Sequence, residues 1–322
     1  MERTRQHDET KTKGRSRHMI PSFIQNALVN GERATLIPIH RLQQVRDEID
    51  RFRRQAALND FQQWIVNDLY QFDVPDVGFP VRSMILLAIP HPFCANVELV
   101  YHGKTCHCLS LVMSDFDTTE NSLKKVLRAK DHHMIATQNV PLKRLAVHSG
   151  FAVYGRNNIC YIDGMGSNFS FVAYFSDIPC DDEYGTDVTM ASLCATCRAC
   201  ANNCPTGAIQ EHRFLVDNEK CLSYLNESGK PFPEWLPKTV HHCVYDCLKC
   251  QMICPMNREQ VKYVVGPIQF TESETQMLLS GVPVDESPPS LKKKARYLGF
   301  HQWPDGIARN VRALIELSEQ ER

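Results

Sequence analysis

The chain has 322 residues, of which 43% are hydrophobic and 23% are charged, and its formal net charge is −1. This composition excludes a wholly disordered chain, and the length favours two or three compact domains of about 100–200 residues each. Because Lys+Arg (36) balances Asp+Glu (37), no global positive field exists to attract nucleic acid.

Residues 1–18 combine six Lys/Arg with three acidic residues and contain no apolar stretch, so we expect a disordered, solvated tail. They resemble neither a Sec signal nor a twin-arginine signal. No apolar run approaches the about 20 residues that span a bilayer. We therefore expect a cytoplasmic protein without a membrane segment, in which clustered cysteines are more often metal ligands or redox groups than disulfides.

Residues 19–189 alternate between strand-like and helix-like segments, which predicts an α/β domain. The short apolar run Leu36-Ile37-Pro38-Ile39 predicts a first strand. Apolar residues at helical spacing predict one long helix from Leu42 to Leu69. The continuously apolar run Ser83 to Pro90 predicts a buried strand of a parallel or mixed sheet.

Three further segments complete the predicted elements. Residues 97–113 suggest a strand pair around His102-Gly103-Lys104, and Thr118 or Thr119 can cap a helix that ends at Arg128. Residues 258–322 predict a helical C-terminal region.

Fourteen cysteines are the unusual feature of the composition, and nine of them lie between Cys194 and Cys254. Within residues 190–257, a CxxCxxCxxxCP motif begins at Cys194. This is the spacing of two-cluster bacterial ferredoxins, in which three cysteines bind one iron–sulfur cluster and the fourth binds the other. The motif predicts a two-[4Fe–4S] ferredoxin-type module.

A second, shorter motif, CxxCxxxCP, begins at Cys247 and lacks the first cysteine of a complete motif. The isolated Cys221 completes a count of eight, while Cys243 stays open as an alternative ligand or a buried apolar residue. The crossed arrangement predicts one [4Fe–4S] cluster on Cys194, Cys197, Cys200 and Cys254 and another on Cys204, Cys221, Cys247 and Cys250.

Structural zinc and disulfides account for the cysteines less well. A tetrahedral zinc site needs only four ligands and does not require a CxxCxxCxxxCP run, and disulfides are rare in a reducing compartment. Outside the module, Cys106 and Cys108 lie near His102 and His107 and could form a third metal site, but buried core cysteines are the commoner case.

The cysteine pattern CxxCxxCxxxCPTGAI, the later Cys221 in CLSYLN and the final CxxCxxxCPMN resemble epoxyqueuosine reductase, a relative of the corrinoid-dependent reductive dehalogenases. The upstream segment PLKRLAVHSGFAVYGRNNICYIDGMGSNFSFVAYFSD resembles the helix, glycine-rich loop and Gly-Ser-aromatic strand of the same family. The resemblance covers residues 141–257 well and residues 30–130 loosely.

The resemblance implies an α+β chain: a nitroreductase-like α/β domain that binds cobalamin, a bacterial two-[4Fe–4S] ferredoxin-type module and a short helical tail. It implies an iron–sulfur oxidoreductase whose clusters pass electrons to the corrinoid, which in the family reduces epoxyqueuosine in tRNA. An electron donor such as ferredoxin or flavodoxin is implied, whereas the net charge gives tRNA binding no support. By matching position, the corrinoid-binding residues are Gly155, Arg156, Asn157, Asn158, Gly166, Ser167 and Phe169.

One family feature is missing. The proton donor of the family, an aspartate in a YxxGRDYH-like segment, has no counterpart here. Asp115 and Asp117 lie near the expected place, but a solvated turn or a helix cap is the better interpretation of both. The catalytic acid is therefore unassigned. Two alternatives follow: a ferredoxin-like electron-transfer protein that donates to a partner protein without its own corrinoid, and a reductive dehalogenase that is not exported.

Overall fold

The computed structural model describes residues 20–28, 30–55, 57–137, 139–181, 188, 190–210 and 215–320. The tail expected at residues 1–18 lies outside the described residues. Within the described ranges, no helix combines the length and the apolar character that crossing a membrane requires.

The described residues form a mixed α/β fold. The strands are β1 Arg33–Pro38, β2 Ser83–Pro90, β3 Cys94–Tyr101, β4 Lys104–Ser110, β5 Met134–Ala136, β6 Val153–Tyr154, β7 Cys160–Tyr161, β8 Phe169–Ser176 and β9 Val264–Phe270. The α-helices are α1 Ser22–Gln25, α2 His40–Gln55, α3 Asp60–Trp64, α4 Phe116–Arg128, α5 Leu142–His148, α6 Ala199–Asn202, α7 Leu222–Glu227, α8 Lys249–Met252, α9 Glu272–Leu279, α10 Pro289–Tyr297 and α11 Pro304–Gln320. Short 3-10 turns and one π-helical segment, Ile65–Leu69, connect them.

A four-stranded sheet in the order β1-β2-β8-β5 forms the centre of the N-terminal part, and all its pairs are antiparallel. The prediction of a parallel or mixed sheet around β2 was therefore wrong. Met84 and Leu86 belong to the core beneath α2 and α5, whereas Ile85 and Leu87 belong to the core beneath α1 and α4. Because helices cover both faces, β2 is apolar throughout without parallel pairing.

The single long helix predicted from Leu42 to Leu69 is broken. Helix α2 ends at Gln55, and α3 starts after Asn59, whose side chain accepts a hydrogen bond from Gln62 N while the Gln62 side chain accepts one from Asn59 N. This capping box starts a new helix inside the periodic apolar pattern.

Of two other local predictions, one is confirmed and the other is wrong in its capping residue. The strand pair around residues 102–104 is confirmed as the β3–β4 hairpin, whose turn places both His102 and Gly103 at positive φ. Helix α4 ends at Arg128 as expected, but Asp115 caps it rather than Thr118 or Thr119.

A second sheet, in the order β4-β3-β9, joins the C-terminal region to the rest of the chain. The predicted helical tail contains α9, α10 and α11, but it also contains β9, which runs parallel to β3. Gly266 and Pro267 interrupt the sequence of β9, and proline is tolerated in a strand at a sheet edge, so this strand has little sequence signal. Leu99 of β3, Tyr245 and Val311 of α11 share one core.

Candidate functional site

Eight cysteines of the module surround two cavities. The first quartet consists of Cys194, Cys197, Cys200 and Cys254, which line a first, small cavity. The second quartet consists of Cys204, Cys221, Cys247 and Cys250, which line a second cavity of about 1510 Å³ that includes a part open to solvent. The structure thus brings together the four cysteines of each predicted ligand set.

Short helices place these thiols. Cys200 lies on α6 and Cys250 lies on α8, and the two helices are joined where the Asn203 amide donates to Lys249 O at 2.8 Å. Cys254 immediately precedes a 3-10 turn that starts with Pro255. Proline suits this first position because its missing N–H would have no partner there, which explains the Cys-Pro pair.

Burial and neighbouring thiols make the cavities unfavourable for free thiolates. Burial, with smaller contributions from Asp246 and from thiols of the second quartet, raises the pKa of Cys247 to about 12. Burial also raises the pKa of Cys200, and the other three thiols of the first quartet add to the effect. Thiolates at such positions need the positive charge of a bound metal, which deprotonates a coordinating thiol outright. This donor chemistry fits iron–sulfur clusters.

The described ranges contain no three His, Cys, Asp or Glu side chains close enough to share a single metal ion. The residues of the suggested third metal site do not come together, because the side chains of β4 alternate in direction. Cys106 and Cys108 point into a buried core, whereas His107 points outward and pairs with Glu98 at 3.7 Å. Successive side chains of a strand face opposite sides, so these residues do not converge.

Cys243, the other open assignment, is not among the residues that line the two cavities. It is buried, its backbone pairs with Leu109, and its thiol contacts Cys247 O at 3.6 Å. This is the environment of a small apolar residue.

The loop at Gly155–Asn158 connects β6 and β7 and reaches the cysteine-rich module. Arg156 is buried and donates to the carbonyl oxygens of Cys194 and Cys197. Gly155 and Arg156 line the first cavity, Asn158 lines the second, and Asn157 lines both. Lys143 fixes the loop through a 3.1 Å hydrogen bond from its Nζ to Asn158 O.

The glycine turn before β8 is attached to the module by Asn257, which sequence reasoning did not identify. Asn257 is fully buried, accepts from Ser167 N at 2.8 Å and donates to Ser167 Oγ at 2.8 Å. Gly166 has a φ of 61°, and a side chain there would collide with Asn257. The one available signal was the position of Asn257 directly after the final Cys-Pro-Met.

A third cavity, which is open to solvent on one side, lies between the α/β part and the module and is lined by Ser167 and Phe169. Five residues line both the second and the third cavity, namely Lys143, Ile159, Asp246, Leu248 and Gln251. The two cavities are therefore adjacent. Of the seven residues expected to bind a corrinoid, Asn157, Asn158, Ser167 and Phe169 line this combined space.

Two ionisable residues of the third cavity, His91 and Asp246, were not identified from the sequence. Burial lowers the pKa of His91, which favours its neutral form, although the Pro92 carbonyl opposes the shift. Asp246 accepts from Ser223 Oγ and from Cys247 N, both at 2.6 Å. Their positions follow from chain folding, because His91 and Asp246 belong to different parts of the sequence.

The role of Asp115 is explained by hydrogen bonds within its own turn. Its side chain accepts from Thr118 N and Thr118 Oγ1, and these hydrogen bonds lower its pKa. It is an exposed helix cap, and Asp117 follows in the first turn of α4.

Comparison with known proteins agrees with this geometry. Residues 193–257 match the family described as 4Fe-4S double cluster binding domain. The chain is 36% identical over 228 residues to epoxyqueuosine reductase from Atelocyanobacterium thalassa, which covers 63% of this chain and 70% of the relative. It is 32% identical over 188 residues to epoxyqueuosine reductase from Escherichia coli, which covers 56% of this chain and 46% of that relative.

Solved structures share the fold. Epoxyqueuosine reductase from Bacillus subtilis aligns with a TM-score of 0.59 at 15% identity, covering 91% of this chain and 79% of that chain. The enzyme from Streptococcus thermophilus aligns with a TM-score of 0.56 at 13% identity, covering the same shares.

The chain spans less than half the length of several curated relatives: 46% of the Escherichia coli enzyme and 30% of the enzyme from Aliivibrio fischeri. The match to the Atelocyanobacterium thalassa enzyme is both closer in identity and more complete. On the cysteine pattern, the fold and this match, the chain belongs to the epoxyqueuosine reductase family.

Proposed function

We propose that this protein is a corrinoid-dependent iron–sulfur reductase of the epoxyqueuosine reductase type. The observation that carries the proposal is the position of the second quartet, whose cysteines line a large cavity adjoining the third cavity. A redox centre on these cysteines would lie beside a concave space that is open to solvent and lined largely by apolar side chains, as in sites for organic cofactors. One [4Fe–4S] cluster is assigned to each quartet.

Electrons enter through the first quartet in this proposal. Leu193 and Ile253, which directly precede Cys194 and Cys254, are 47% and 49% exposed. This part of the module is therefore accessible to a donor protein such as ferredoxin or flavodoxin. The second quartet then passes the electrons to the cofactor.

The cofactor we propose is cobalamin, held by the nitroreductase-like α/β domain. Apolar side chains of α2, Ile49 and Phe52, line the second cavity and restrict water there. Asn158, Ser167 and Phe169 contribute to the cavity walls, while Gly155, Arg156, Asn157 and Gly166 keep the two loops in place. When bound, the corrinoid supplies a strongly reducing cobalt centre, and the protein controls access and orientation.

The substrate we propose is epoxyqueuosine in tRNA. A solved epoxyqueuosine reductase with a TM-score of 0.60 to this chain was crystallised with an epoxyqueuosine-modified tRNA-Tyr stem loop. Because the acidic and basic residues of this chain balance, tRNA binding would depend on a local surface rather than on net charge.

Anaerobic reconstitution with iron, sulfide and cobalamin tests the proposal. We expect about eight irons and one cobalt per chain after desalting, followed by conversion of epoxyqueuosine in tRNA to queuosine. A Cys221→Ser variant should lose about half the iron, whereas the matched Cys243→Ser variant should retain all of it. Full iron without cobalt would contradict the corrinoid proposal.

That last outcome would favour a ferredoxin-like carrier that donates to a partner protein. The specific observation in its favour is the helix-capping role of Asp115, which leaves the family's proton donor without a counterpart. Cobalt retention together with substrate turnover would exclude the carrier.

A further inference from the structure

Three large apolar side chains are exposed beside the first quartet. Leu193, Met252 and Ile253 are 47%, 39% and 49% exposed. Leu193 also lines the first cavity together with Cys194 and Cys254. Because one side chain both lines this cavity and reaches solvent, little protein separates a cluster in the cavity from an electron donor outside.

Local contacts hold the two segments of this surface together. Helices α6 and α8 pack against each other and are joined by the hydrogen bond from the Asn203 amide to Lys249 O. Met252 ends α8, so its exposed side chain lies on the helix that contacts α6. In the other segment, Arg198 Nη1 donates to Cys197 O at 3.3 Å, which keeps its guanidinium beside the first quartet.

The charged side chains of these two segments are mostly basic. Residues 190–210 and 249–263 contain four cations and one anion, whereas the whole chain has a net charge of −1. The cations are Arg198, Lys249, Arg258 and Lys262, and the anion is Glu259. Lys262 pairs with Glu259 at 2.7 Å, but no carboxylate of the described residues forms an ion pair with the exposed Arg258. A positive surface on a nearly neutral chain attracts an acidic partner.

We propose that this surface binds an acidic electron-transfer protein. We call it the donor face and define it by the three exposed apolar residues and the four basic residues named above. The inference rests on the proposed function only in that the first quartet binds a cluster that accepts electrons. One electron passes from the reduced centre of the partner to the oxidised cluster, and no atom is transferred. The apolar centre supplies contact area, and the charged rim steers the encounter.

Stopped-flow reduction of the iron-loaded protein tests the donor face. The donors are a reduced flavodoxin of net negative charge and, as a small reference donor, the methyl viologen radical cation. With flavodoxin, we expect the second-order rate constant to fall about tenfold as the ionic strength rises from about 0.02 M to about 0.5 M, since salt screens steered association. The rate with methyl viologen should not fall, because a basic surface does not attract a cation.

Variants separate the charge of the face from its fold. Arg258→Glu should lower the rate with flavodoxin about tenfold and weaken its salt dependence, since rim charges act mainly on association. Arg258→Lys retains the charge and should keep most of the rate. Lys262→Glu lies farther from Cys254, should act in the same direction and replaces Arg258→Glu if that variant binds no iron. Lys125→Glu is the matched control, because Lys125 is exposed on α4, whose core contains no residue of the module.

Rates with flavodoxin that respond neither to salt nor to the Arg258 and Lys262 variants would overturn the acidic partner. An equal fall with both donors in these variants would also overturn it, because the substitutions would then act on the cluster itself. A dimer in solution that Ile253→Asp abolishes would mean that a second copy of the chain covers the face. Failure of the unaltered protein to bind iron, or of methyl viologen to reduce that iron, would instead overturn the proposed function, and this inference with it.

Discussion

Asn257 connects the module to the α/β part of the chain through hydrogen bonds to Ser167. Its amide accepts from Ser167 N and donates to Ser167 Oγ and to Gln251 O, and the residue is fully buried. Asn257→Ala leaves the Ser167 N–H buried without its partner. We expect a loss of about 2–4 kcal/mol in the free energy of unfolding, since an unsatisfied buried donor costs about 1–3 kcal/mol and a cavity adds to it.

Urea unfolding of the iron-loaded protein measures this loss. Asn203→Ala is the matched control, because Asn203 is an exposed asparagine of the same module whose side chain donates a hydrogen bond to Lys249 O. The control should lose no more than about 1 kcal/mol. Equal losses in the two variants would show that Asn257 has no special role.

His241 predicts a pH dependence of stability. Burial, followed by repulsion from Arg309 and His242, lowers its pKa from 6.5 to about 4. The folded protein holds the ring neutral, so the unfolded chain binds more protons below pH 6.5. The stabilising contribution is complete above the unfolded pKa and is lost as the pH falls towards 4.

The comparison to make is between the original protein and His241→Phe, which retains a ring against Phe232 but does not titrate. Between pH 7 and pH 5 the original protein should lose about 2 kcal/mol more than the variant, since one pKa unit corresponds to about 1.36 kcal/mol. Equal losses of stability in the two proteins would contradict a lowered pKa for His241. A greater loss in the variant would mean that the His241 pKa is raised in the folded protein.

The site illustrates which residues a sequence can identify. Cysteine spacing predicted both quartets because cluster ligands follow short, regular intervals, and only Cys221 had to be assigned by count. Asn257 was missed because asparagine occurs in many environments. Its role depends on Ser167, which lies 90 residues away in sequence.

At the scale of elements, the close approach of α11 to α7 requires a glycine at position 306. A Cβ atom at Gly306 would lie 2.6 Å from Asn226 O and 3.2 Å from Glu227 O. In an isolated helix, Gly→Ala is stabilising by about 1 kcal/mol. Here overpacking against backbone atoms costs about 1–3 kcal/mol, so Gly306→Ala should be destabilising by about 1–2 kcal/mol.

Thermal unfolding of Gly306→Ala decides between these opposing effects. Glu316→Ala, an exposed change on the same helix, should stay within about 0.5 kcal/mol of the original protein. A higher unfolding temperature for Gly306→Ala would mean that helix propensity dominates and that α11 can move away from α7.

Elements were predicted well where the pattern was local and poorly where it depended on pairing. The β3–β4 hairpin was found because its turn residues favour positive φ. The antiparallel sheet and β9 were missed, since an apolar run does not report strand direction and Gly266-Pro267 interrupts the strand pattern of β9. The break after Gln55 carried a capping-box signal at Asn59 and Gln62 that the long apolar periodicity obscured.

At the scale of the whole molecule, the distribution of the buried cores predicts which parts of the chain unfold when iron is removed. The two cores that cover the four-stranded sheet draw their buried residues from Ile24 to Ile178 only. The core shared by β3, β4 and the C-terminal helices also includes Val244 and Tyr245 of the module. The module's own apolar cluster is small, with Leu222, Leu236 and Cys247 as its buried members, so bound clusters should supply much of the module's folding free energy.

Anaerobic removal of iron with a chelator, followed by hydrogen exchange measured by mass spectrometry, should therefore give a graded result. Amides of residues 192–210 and 215–257 should lose protection first, and those of β9 and α11 should lose part of theirs because Tyr245 and Asn310 connect them to the module. Amides of β2 and β8 should stay protected, as in a sample treated without chelator. Simultaneous loss of protection in β2 would mean that the clusters hold the entire chain together, because local unfolding of the module would not reach a sheet whose two cores it does not share.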